Sequence, residues 1–157
     1  KGDNKSRRAL YTFRFRSVPY PVLQVFDTPA GDAPCTRRER SNTPLQALAT
    51  LNEPLFLESA RGLAEITLAE GGDTPEARLY YAFRRAISRE AEAAELQELT
   101  QFLQKQQQRI ATGELNPVDI LTTAGGLATP DHDPAELAAY TLTARVLLNL
   151  DETITRQ

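Results

Sequence analysis

Three observations predict an all-α fold. Helix-start signatures recur at Thr43, Thr74 and Asp133, each followed directly by proline. Between them, apolar residues return at intervals of three and four, the period of one helix face. Strict alternation is confined to one short run, residues 10–16. The expected architecture is a bundle of four to five helices over residues 44–157, preceded by an extended, proline-rich arm over residues 1–43. The whole, 1–157, reads as a single domain or the C-terminal fragment of one.

The arm begins with "LYTFRFR" at 10–16, where Tyr11, Phe13 and Phe15 fall on one side and Thr12, Arg14 and Arg16 on the other. That is the pattern of a half-buried strand. Such a strand either pairs with a segment upstream or docks its aromatics on the helical core. Pro19, Pro21, Pro29 and Pro34 then hold the backbone extended or turning. Val22, Leu23, Val25 and Phe26 form either one short helical turn or an irregular apolar clamp.

Thr43-Pro44-Leu45-Gln46 spells a capping box with proline at the first helical position. Thr43 accepts from the free amide of Gln46, and Gln46 reaches back to Thr43. Leu45, Leu48, Leu51, Leu55, Leu63 and Ile66 follow as the expected apolar face, interrupted by Pro54, which kinks or splits the helix. Gly71 and Gly72 end it. The next helix offers Leu79, Tyr80, Phe83 and Ile87. The one after, from about Glu92 to Ala111, offers Leu96, Leu99, Phe102, Leu103 and Ile110, with glutamines and charges on a solvated face. Residues 113–133 read as a long loop in which "PVDILTTA" is a candidate short helix. The last helix, from Pro134, aligns Leu137, Tyr140, Thr141, Ala144, Leu147 and Leu148.

At 157 residues the chain can bury roughly 70% of its unfolded surface, enough for a core without disulfides. One cysteine, Cys35, excludes an internal disulfide, a CxxC zinc site and a c-type haem attachment. No apolar run is long enough to span a membrane, and the polar start is not a signal peptide. The absence of methionine suggests excision from a longer protein. The net charge of −3 conceals an asymmetry. Residues 1–43 carry nine basic and four acidic side chains, a net of +5, and the rest balances at −8. The basic arm either lies against the acidic helices or faces an outside anion. An acidic domain with no recognition motif points away from nucleic acid.

"RRALYTF", "VFDTP", "CTRRERSNTPLQALATLNEP", "YAFRRAISRE" and "LTARVLLNLDE" together resemble the C-terminal part of the DUF1553, or PSD1, family of large planctomycete-type proteins. The resemblance implies a parent chain fused to a DUF1549 domain and often to a cytochrome-c-like domain, secreted, periplasmic or on the cell surface. Any haem c would belong elsewhere in that parent, and this segment needs no cofactor or metal. The family supplies no catalytic residue. Two departures from its pattern are the start "EAEAAEL" after Arg89 and the loop at 113–133.

Arg37, Arg38 and Arg40, with Asn42, stand just before a helix N-terminus, where anions are favoured. They either contact an anionic ligand or partner, or tie carboxylates of the same chain. Cys35 reads as a structural thiol and His132 as a solvated loop residue. Thr43, Pro44, Gln46, Asn52 and Pro54 read as structural residues of the first helical segment. Asn149 and Asp151, with Arg145, are expected to bond backbone groups of the arm.

Three functions follow as expectations. The first is a non-catalytic interaction module packing on upstream domains of its own parent. The second is an anion or sulfated-glycan binding domain using Arg37, Arg38 and Arg40, its partner an anionic polysaccharide. The third is a contributor to a split active site, through Arg37, Asp27 or Glu39.

Overall fold

The computed structural model describes residues 11, 20–29, 36–37, 41–126 and 132–154. The alternating run at 10–16 lies, apart from Tyr11, outside the described residues. The described residues form eight helices and no strand: α1 Pro21–Val25, α2 Pro44–Asn52, α3 Pro54–Glu70, α4 Pro75–Ile87, α5 Ala93–Ala111, α6 Pro117–Thr123, α7 Pro134–Leu148 and α8 Asp151–Ile154. The fold is all-α. Five of these helices are long and three are single short pieces. The chain divides into two compact units, residues 1–49 and 50–157, with the division falling inside α2.

Local chemistry sets the helix starts. Thr74 accepts from the Ala77 amide at 3.2 Å and Asp133 from the Glu136 amide at 3.0 Å. Asn116 does the same for Val118 at 3.0 Å, starting α6. At α5, which has no proline start, the Glu95 carboxylate accepts from the Glu92 amide at 2.8 Å. Each such cap contributes on the order of 1 kcal/mol. Pro54 splits the first helical segment: α2 ends at Asn52 and α3 begins with the proline as its first residue.

The two glycines after α3 have different tasks. A Cβ on Gly71 would sit 2.5 Å from the Thr67 carbonyl oxygen and 2.9 Å from Arg78 Cα, so only glycine lets α4 approach this closely. Gly72 takes φ +91°, the left-handed turn that leads the chain away.

In the second unit α7 is the central helix, packed against α3, α5, α6 and α4. Leu137, Ala138, Ala139, Tyr140, Thr141, Thr143, Ala144 and Leu147 are all buried, so this helix is covered on most sides. Around it gather Leu68, Leu79, Phe83, Leu99, Leu103 and Leu121. Ala60 and Leu63 of α3 meet Ala144 in a smaller cluster. The alanines of α3 and α7 keep side chains short where these helices meet.

The structure corrects two expectations about faces. The leucine stripe of the first helical segment is its buried side only in part: Leu63 is buried and Leu51 half-buried. Leu45, Leu48 and Leu55 are exposed and Ile66 lies at the boundary, while Gln46 and Thr50 are buried. The reason is hydrogen bonding: the Gln46 carboxamide has partners on all sides, described below. In α5 the glutamines are not all solvated. Gln106 is buried one turn after Leu103, its carbonyl oxygen accepting from Arg109 at 3.1 Å.

Candidate functional site

In the unit of residues 1–49 the polar side chains converge on Gln46. Its Nε2 donates to the Val25 carbonyl at 2.9 Å and to Ser41 Oγ at 2.9 Å, with Asp27 Oδ2 at 3.4 Å. Its Oε1 accepts from the Thr43 amide at 3.1 Å, and its own amide donates to Thr43 Oγ1 at 3.3 Å. The Ser41 hydroxyl donates to Asp27 Oδ2. Asp27 follows α1 with φ +53°, a left-handed conformation that aspartate tolerates better than most residues. The Asp27 and Thr28 amides close the turn by donating to the Gln24 and Leu23 carbonyls at 3.2 and 3.0 Å. One glutamine therefore caps α2 and fixes the "VFDTP" turn to it. The capping box is legible in the sequence. The reach to Val25, 21 residues away, is not.

Of the arginine group, only Arg37 lies among the described residues, and it is exposed. Arg38, Arg40, Glu39 and Cys35 fall outside them. Asn42 and Asn52 are exposed, Asn52 ending α2 and Pro54 opening α3. His132 stands half-buried just ahead of α7.

In the second unit, Asn149 caps the C-terminus of α7 and its Oδ1 accepts from the Thr50 hydroxyl. Arg145 donates to the Leu51 carbonyl, one of the last in α2, which no further helical turn is there to satisfy. Its Nε is buried with no hydrogen-bond partner among the described groups. The bonds described for Asn149 and Arg145 run to the last turn of α2, and most of the arm expected to receive them lies outside the described residues. Asp151 opens α8 and is exposed.

Among the described residues of the second unit the most connected charge is Arg89, to which the sequence alone assigns no role. It forks Glu95 at 2.6 and 2.8 Å and Glu152 at 2.8 and 3.0 Å, and donates to the Glu90 carbonyl at 3.0 Å. All five guanidinium N–H donors are engaged. The same group lies 4.9 Å from the Phe83 ring centre. Its hydrogen bonds, with the Glu92 amide, lower the Glu95 carboxyl to about 2, and Arg89 lowers Glu152 as well. Arg89 thus joins the end of α4 to the starts of α5 and α8. A sequence signal existed in "RRAISRE", but nothing in it identified which acids would answer.

Arg78 makes a second tie. It donates to the Gly72 carbonyl at 2.8 Å and to Glu136 of α7 at 2.7 Å. Burial pushes the nearby Tyr140 hydroxyl up, with Arg78 pulling the other way. Among the described residues, no group of three or more His, Cys, Asp or Glu side chains could hold a metal ion, and no helix is long and apolar enough to cross a membrane.

The fold and these ties define an all-α domain whose charged and amide side chains join helix ends to one another. Residues 1–103 match the family model described as PSD1, protein of unknown function (DUF1553), and the chain belongs to that family. The match takes in "RRALYTF" through "YAFRRAISRE", while "LTARVLLNLDE" lies beyond it. No curated protein and no solved structure matches the chain.

Proposed function

We propose that this chain is a non-catalytic interaction module within a larger, secreted multidomain protein. The supporting observation is the outer face of α2. Leu45 and Leu48 stand one turn apart and are 58% and 56% exposed, on a helix that buries Gln46 instead. Scattered surface leucines are ordinary. Here, however, the internal hydrogen bonds of Gln46 orient the helix so that its leucines face outward, which suits a surface completed by another segment. That segment is an upstream domain of the parent chain, and any haem c resides there too.

An anion or sulfated-glycan site at Arg37, Arg38 and Arg40 is the second reading, and it rests on the sequence. The split-site reading is weaker at Asp27, whose carboxylate already accepts from Ser41 and Gln46. The deciding experiment is calorimetric titration of this chain against the rest of its parent. Binding should weaken at least tenfold in Leu45→Glu plus Leu48→Glu and stay unchanged in Arg37→Ala plus Arg40→Ala. The reverse pattern would replace the apolar reading with the anionic one.

A further inference from the structure

A concavity of about 530 Å³ opens on α4, lined by Gly71, Ala77, Tyr80, Tyr81, Arg84 and Arg85. Positions 77, 80, 81, 84 and 85 form one helical face, so two aromatic rings lie a single turn ahead of two guanidinium groups. Gly71 is buried beside them, where the close approach of α3 and α4 excludes any side chain. Tyr81 is held in place by donating its hydroxyl to Glu70. That bond raises its ionisation above the ordinary range, so the ring stays neutral.

Most arginines of the same unit are paired with acids, though Arg145 bonds the Leu51 carbonyl instead and Lys105 forms no ion pair among the described residues. Arg61, Arg78, Arg89 and Arg109 each have a carboxylate within ion-pair distance. Arg84 and Arg85 are exposed and form no ion pair among the described residues. Two unpaired guanidinium groups beside two tyrosine rings complement a molecule that carries an anionic group on a flat ring. Arginine forks suit a carboxylate or phosphate, and the ring supplies apolar area. The volume lies within the range of small-molecule sites.

We propose that the α4 concavity binds a small organic anion, its carboxylate or phosphate held by Arg84 and Arg85 and its ring lying against Tyr80 and Tyr81. The site belongs to the unit of residues 50–157 and is independent of the Leu45 and Leu48 surface.

The test titrates the 157-residue chain with phenyl phosphate and benzoate, and in parallel with inorganic phosphate and phenol, by calorimetry. Saturable binding is expected for at least one of the two ring anions, at least tenfold tighter than for phosphate or phenol alone. Arg84→Gln plus Arg85→Gln should weaken it at least tenfold. Tyr80→Leu should weaken the ring anions while leaving inorganic phosphate unchanged. Ring-proton NMR shifts of Tyr80 and Tyr81 during titration of the unaltered chain give a readout that needs no variant. Absence of saturable binding by both ring anions, or affinity unchanged in the double arginine variant, would overturn the proposal.

Discussion

In the unit of residues 50–157 the side chains furthest from water are chiefly apolar, among them Phe83, Leu79, Leu103, Leu121, Leu137 and Leu147. Among the described residues of the unit 1–49, the only buried side chain is Gln46. One region is organised by area removed from water, which is non-directional and tolerates adjustment. The other is organised by a carboxamide whose donors and acceptor must each meet a partner at a set angle. The first will lose stability in proportion to volume removed. The second will lose it through groups left buried and unpaired.

The largest effect should come from the apolar centre. Leu137→Ala, at a fully buried position on α7, is expected to cost about 2–5 kcal/mol in denaturant unfolding, from lost transfer energy and the cavity left behind. A cost under about 1 kcal/mol would mean that α7 is not the central helix.

Next comes the polar node. Gln46→Leu conserves approximate size but leaves the Ser41, Asp27, Val25 and Thr43 groups short of a partner, at about 1–3 kcal/mol for a buried group so stranded. Hydrogen exchange should accelerate at residues 22–28 and 43–47 while the amides of α7 keep their protection. The neighbouring change Leu45→Gln should stay within about 0.5 kcal/mol of the parent, since that side chain faces water. If the leucine change proved the costlier of the two, the contrast between the units would collapse.

A smaller loss, on the order of 1 kcal/mol, is expected for Thr74→Ala, which removes the acceptor for the Ala77 amide at the start of α4. Thermal unfolding would register it, and Thr74→Asp should restore the midpoint.

The smallest effect is the pH dependence of the Arg89 clamp. Glu95 titrates at about 2 in the folded chain against an ordinary 4.5, so folding favours its ionised form. That contribution is fully present above about pH 4.5 and is lost as the pH falls toward 2. The carboxylates are partly exposed, so salt should weaken it. Arg89→Gln should flatten the fall in unfolding midpoint across that window. Identical slopes for the two chains would show that the pair contributes nothing.

The amino-acid sequence by itself determined the helical class, the starts of α2, α4 and α7 and the break at Pro54. These depend on residues within a few positions of one another: a hydroxyl or carboxylate that meets an amide three residues on, or a proline ring that meets the preceding turn. It also carried the family, through motifs that persist as strings. Which face of α2 is buried was decided only by the tertiary structure. The leucine spacing fits a core face, yet the partners of Gln46 include a carbonyl 21 residues away, and periodicity within one helix carries no record of it. The same holds for Arg89, whose acid Glu152 lies 63 residues downstream. Local rules set where each helix begins and ends. The faces they share and the charges they join follow from long-range contacts, which exist only once the chain has folded.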